Sequence, residues 1–202
     1  MSKVFVTAAT VIGLAASASQ ASVIQYTGLG FNSQVQVVHN GTTLNVHAGQ
    51  INIKIDSTPF VAFCVDMDHS IKSDWLAGSD PVASITGGVA AAYLYDTFKA
   101  GVTDNIKGAA LQIAIWEVVD DFGGSLSLAN GDFKFSTAGD ILNQANAYLA
   151  AIPGNLAGYI TNSYVLKSGW DPRSQNLIVP EPGTLIALML GLPLFVMRRR
   201  LA

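Results

Sequence analysis

The one cysteine of this 202-residue chain, Cys64, lies near the end of the apolar run Phe60-Val61-Ala62-Phe63-Cys64-Val65, which Asp66 follows. Its natural chemical partner is Gln112, a lone carboxamide in Ala109-Ala110-Leu111-Gln112-Ile113-Ala114-Ile115-Trp116. A primary amide buried without partners costs about 1–3 kcal/mol, so something must compensate it. Hydrogen bonds to backbone are the plain solution, with Cys64 packed beside it as a small hydrophobe. The two groups also permit a reaction, because a thiolate is a nucleophile and an amide carbonyl an acceptor. Held together, they would condense with loss of ammonia to an internal thioester. Positioning can supply about 7–11 kcal/mol of such a barrier, and apolar surroundings would shield the bond from water. An arriving amine would displace Cys64 and stay joined to Gln112 by an amide. Such a bond acts once per molecule, which is not turnover catalysis, and it needs no cofactor.

Other polar groups offer weaker chemistry. Asp66-Met67-Asp68-His69 places three metal-type ligands in four positions, but an acidic loop after a strand is ordinarily solvated, and no metal is assigned. His69 as a base for Cys64 would make a hydrolase or acyltransferase. Nucleophilic cysteines of those enzymes commonly sit at helix N-termini, where the dipole lowers the thiol pKa, whereas Cys64 is in a strand-like run. His39 precedes a hairpin turn and His47 lies on an alternating strand, so both read as surface residues. Tyr93, Tyr95 and Phe98 read as core. Asp120 and Asp121 oppose a helix dipole without an evident purpose.

The elements that must position these groups change period along the chain. From Ser22 to about Val65 the pattern is twofold: Val35 and Val37 alternate with Gln34 and Gln36, and Ile51, Ile53 and Ile55 with Asn52 and Lys54. Asn40-Gly41 between those runs predicts a type I′ hairpin. Three or four strands therefore precede the helices. Thr86–Ala100 then reads as a helix stopping at Gly101. A second begins at the cap Asp104 and runs to about Asp121, with Gly108, Gln112, Ile115, Trp116 and Val119 on one face. A third spans Ala138–Ile152, with Thr137 and Asp140 as a capping-box-like start. Tyr159–Lys167 and Gln175–Val179 return to strand composition.

Charged residues number 25, or 12% of the chain, about half the usual share. The 160 residues of 22–181 hold seven basic and fourteen acidic groups, which argues against nucleic acid as a partner. The two ends read as addresses. Lys3, the apolar Val4–Ala16 and Ser19-Gln20-Ala21 form a secretory signal over residues 1–21. At the other end, Val179-Pro180-Glu181-Pro182-Gly183 precedes the apolar Thr184–Met197 and then Arg198, Arg199 and Arg200. The prolines are expected to interrupt regular structure. The apolar stretch of 14 residues is shorter than the roughly 20 that span a bilayer comfortably, and the arginines would hold its end cytoplasmic.

The tail, residues 180–202, resembles the PEP-CTERM sorting signal. That resemblance implies secretion, a membrane-anchored precursor, cleavage by an exosortase, and delivery to the envelope or an exopolysaccharide matrix. Gly49-Gln50-Ile51-Asn52-Ile53, Phe63-Cys64-Val65-Asp66 and Leu111-Gln112-Ile113-Ala114-Ile115-Trp116-Glu117 resemble the thioester domain of bacterial surface adhesins, in its short PEP-CTERM form. The resemblance implies a domain over residues 22–179 whose cross-link joins Cys64 to Gln112, with Trp116 as the motif tryptophan and Phe63, Asp66 and Ile115 supporting the pocket. It further implies an α+β fold: a β-sandwich-like body of antiparallel strands with a small helical subdomain of two to three helices. Only 47 residues separate Cys64 from Gln112, so the helical part must be small. The expected partners are a target surface protein or a matrix amine, and the membrane through the tail before processing. The alternatives are a passive exopolysaccharide-matrix protein and the Cys64/His69 hydrolase or acyltransferase.

Overall fold

The computed structural model describes residues 21–124, 126–168 and 174–181. Four strands come first: β1 (Ser22–His39), β2 (Thr42–Ile55), β3 (Thr58–Cys64) and β4 (Asp74–Pro81). Helices α1 (Gly88–Phe98), α2 (Asn105–Asp120) and α3 (Asp140–Ala150) follow, with the two-residue β5 (Phe133–Lys134) between the last two. β6 (Ser163–Lys167) and β7 (Leu177–Pro180) complete an α+β fold.

Every pairing is antiparallel. The strand order is β2-β3-β7-β6-β4-β1, and β1 pairs back onto β2, so the sheet closes into a sandwich-like body, with β5 added to β1. The twofold pattern of the sequence sets the inward face: Val35, Val37, Ile51, Ile53 and Ile55 are buried, while Gln34, Gln36 and Lys54 are exposed. Asn40 and Gly41 take φ of 49° and 75° and make the anticipated hairpin. Asp56 and Ser57, also at positive φ, make the next turn without an Asn-Gly signal.

The helices pack on one another, and α2 also packs on β1, β2 and β3. Asp104 caps α2 as anticipated, its carboxylate accepting the Lys107 N–H at 2.8 Å. The predicted single apolar face is too narrow a description, because every residue from Gly108 to Val118 is buried. A helix enclosed on all sides shows no polar stripe. Close approach is possible because α2 presents Gly108 to the Phe31 carbonyl, where a Cβ would collide. Phe31 lies in a register irregularity of β1 between Leu29 and Asn32, and Gly49 of β2 meets the same carbonyl from another side.

Two boundaries differ from the sequence reading. The chain enters α3 through Gly139 at φ +132°, with no side-chain cap, so Thr137 lies too early to act as one. Pro180 does not interrupt structure but ends β7, paired with Ser163. β3 pairs only with Leu177 and Ile178, so Pro180 lies where β7 has one free side and its missing N–H is tolerated. The ladder continues to Glu181, whose N–H donates to the Asn162 carbonyl at 2.7 Å. Residues 1–20 of the expected signal segment 1–21, and Pro182 with the apolar stretch, Arg198, Arg199 and Arg200, lie outside the described residues. Among the described residues no helix is long and apolar enough to cross a membrane.

Candidate functional site

β3 carries Cys64 at its end, and α2 brings Gln112 against it. The last β2–β3 pair is Ile51 with Ala62, so the side of β3 facing β2 loses its strand partner just before Cys64. Gln112 fills that place. The Cys64 N–H donates to Gln112 Oε1 at 2.9 Å, and Gln112 Nε2 donates to the Cys64 carbonyl at 2.8 Å. Both residues are about 1% exposed. The lone amide is thus satisfied by the backbone of the residue proposed as its reaction partner.

The sulfur is held by the loop that follows. Its S–H donates to the Asp66 carbonyl at 2.8 Å, and the Asp66 N–H lies 3.3 Å from it. Burial pushes the thiol pKa up to about 12, and the charges of Asp66 and Asp120 add to the rise. The Asp66 backbone and the nearby Trp116 indole work in the opposite direction. Trp116 Nε1 is buried and meets no acceptor at full hydrogen-bond geometry among the described residues. The resting group is therefore a neutral thiol beside an uncommitted N–H donor.

Cys64, Gln112 and Trp116 share a cavity of about 210 Å³, whose lining also includes Leu29, Val46, His47, Ile51 and Met67. Phe63 and Ile115 are fully buried but do not line this cavity; Phe63 packs edge-on against Tyr95, with ring centroids 6.0 Å apart. Asp66 contributes through its backbone, while its carboxylate organises the loop. It accepts from the Asp68 N–H at 2.9 Å and from the Asn176 N–H at 3.3 Å, and meets His69 Nδ1 at 2.9 Å. His69 is thereby directed to Asp66. Among the described residues no group of three or more potential ligands is placed to hold a metal ion.

Of the two other histidines, one corrects the sequence reading. His39 is not a surface residue: its ring is 12% exposed and sits between Asp120, 2.7 Å from Nδ1, and Asp68, 3.1 Å from Nε2. Burial opposes its charge, but the two carboxylates outweigh that and hold its pKa above the ordinary value. This gives Asp120 the structural purpose that its place at a helix end concealed. His47 is exposed as anticipated, yet it also lines the Cys64–Gln112 cavity. Period-two alternation assigns it a face but carries no signal of what lies over that face. Tyr95 is core, with its hydroxyl donating to the Val61 carbonyl at 2.9 Å.

Comparison of the chain with family models, curated proteins and solved structures finds no match.

Proposed function

We propose that this is an exported protein of the cell envelope or extracellular matrix in which Cys64 and Gln112 condense to a thioester that captures amines covalently. The observation that carries the reading is the pair of hydrogen bonds between the buried Gln112 carboxamide and the buried Cys64 backbone. Export and sorting rest on the two end segments of the sequence, including Pro180, Glu181 and Pro182.

The chemistry would run in two steps. As Sγ bonds to Gln112 Cδ, negative charge gathers on Oε1, where the Cys64 N–H already points. Breaking the Cδ–Nε2 bond releases ammonia, the thiol proton leaving with the nitrogen. In the second step an amine adds to Cδ, the C–S bond breaks, and the proton of the amine returns to sulfur. Trp116 Nε1 supplies a donor to the departing thiolate without surrendering an existing hydrogen bond.

One observation favours a second reading. Gln112 is fully satisfied without a covalent bond, as it would be in a passive matrix protein in which the residue only secures β3 to α2. The hydrolase reading has less support, since the sulfur bonds to Asp66 backbone and His69 to the Asp66 carboxylate.

Intact mass spectrometry of the mature domain separates them. The thioester predicts a mass short by one ammonia, restored in Cys64→Ala and replaced by an amine adduct after methylamine treatment. A full mass with an alkylatable thiol overturns the adhesive reading, and multiple turnover on a small ester would establish the enzyme.

A further inference from the structure

We propose that His47 is the base that takes the proton from an amine entering the Cys64–Gln112 cavity. The inference rests on the thioester reading and names the group that activates its attacker.

The need for a base follows from the site. A lysine-type amine is mostly protonated near neutral pH; it sheds one proton to solvent before it can attack, and its nitrogen must lose a second as it becomes an amide. The leaving thiol, with its pKa raised by burial, also needs a proton to depart stably. Apart from Cys64, His47 is the single titratable side chain lining the cavity among the described residues. The rest of the lining, with Leu29, Ile51 and Met67, is chiefly apolar, so proton traffic has few other routes. His47 is also exposed, so it borders both the solvent and the cavity.

A hydrogen-bond chain sets the tautomer. Asn32 Nδ2 donates to the Gly30 carbonyl at 2.7 Å, which fixes the amide so that Oδ1 faces the ring. His47 Nδ1 lies 3.0 Å from that Oδ1, and an amide oxygen only accepts, so Nδ1 carries the hydrogen. The neutral ring therefore keeps its lone pair on Nε2, which makes no hydrogen bond among the described residues. The Asn32 backbone is itself anchored to α2, its N–H donating to Asn105 Oδ1 at 3.2 Å. Gln112 and the support for His47 are thus tied to the same helix.

The step balances within the site. The amine nitrogen bonds to Gln112 Cδ as Nε2 of His47 takes one of its protons. The C–S bond breaks with its electron pair on sulfur, and the imidazolium returns the proton to Cys64. The sum is amine plus thioester giving amide plus thiol.

The test is the rate of methylamine capture, read by intact mass on material first shown to lack one ammonia. His47→Ala is expected to keep that deficit, to capture methylamine about 10²-fold more slowly, and to recover when free imidazole is added. Asn32→Ala keeps the ring but releases its tautomer, and is expected to slow capture without an imidazole effect. It serves as the second variant should His47→Ala not fold. Unchanged capture in either folded variant, or slow capture that imidazole does not rescue in His47→Ala, overturns the role of His47 while leaving the thioester standing. A wild-type domain of full mass overturns both readings together.

Discussion

The Gln112 carboxamide serves Cys64 as a one-residue strand neighbour, accepting from its N–H at 2.9 Å and donating to its carbonyl at 2.8 Å where β2 no longer pairs with β3. This separates two roles of Gln112 that sequence alone merges. Gln112→Leu keeps the volume but orphans a buried N–H and a buried C=O, each costing about 1–3 kcal/mol. Cys64→Ala leaves both of those bonds in place. Gln112→Leu should therefore be less stable in urea unfolding than Cys64→Ala by roughly 1–4 kcal/mol, the cost of the two orphaned groups less the smaller loss of the thiol, whatever the sulfur does. Equal midpoints would remove the backbone role.

The covalent bond has its own signature in stability. A cross-link between positions 48 apart would restrict the unfolded chain by about 4 kcal/mol, by the loop-closure arithmetic used for disulfides. Cys64→Ala without such a bond should lose only about 1–2 kcal/mol for a small buried side chain. Opening the thioester with methylamine should lower the urea midpoint of the wild type toward that of Cys64→Ala. A wild type insensitive to methylamine, with Cys64→Ala only slightly weakened, is what the passive matrix reading requires.

Much of this site is legible in the sequence because its signals are local. Alternation at Ile51, Ile53 and Ile55, the Asn40-Gly41 turn and the Asp104 cap each depend on a few neighbouring residues, and each is present. Gln112 stands out because an amide among so many apolar residues demands a partner. The groups that were not legible depend on long-range packing. His39 reaches Asp120 only because the end of β1 lies beside the end of α2. His47 reaches the cavity because α2 and the loop after β3 cover the edge of β2. The full enclosure of α2 has the same origin, since a helix without a polar stripe carries no mark of which neighbours surround it.

Glu117 gives a pH-dependent prediction. It is fully buried, with Oε1 accepting from the Ser127 N–H and Oε2 without a partner among the described residues. Burial raises its pKa from 4.5 to about 7, against the Ser127 bond and with help from the charges of Asp121 and Asp120. The folded form therefore holds a proton that the unfolded chain releases near pH 4.5. The favourable contribution is complete below that value and declines as the pH rises to about 7, above which the loss is constant, on the order of 3 kcal/mol. Glu117→Gln, uncharged and of the same shape, should remove that part of the slope and be more stable than wild type at pH 8. Parallel stability curves for the two proteins from pH 4.5 to 8 would contradict it.

Gly108→Ala tests the approach that makes the site possible. By helix propensity alone, alanine should stabilise α2 by about 1 kcal/mol. The new Cβ, however, would collide with the Phe31 backbone carbonyl, which cannot yield as a flexible side chain would. Overpacking of this kind costs about 1–3 kcal/mol, so the collision should outweigh the propensity. Gly108 lies one turn before Gln112, and a helix pushed from β1 would carry the carboxamide away from Cys64. Gly108→Ala should lower stability and also slow or prevent the loss of ammonia. Gly101→Ala is the control, since a Cβ there meets nothing within 4 Å. Should Gly108→Ala be as stable as wild type and still show the full ammonia deficit, the close seating of α2 on β1 would not be what holds Gln112 to Cys64.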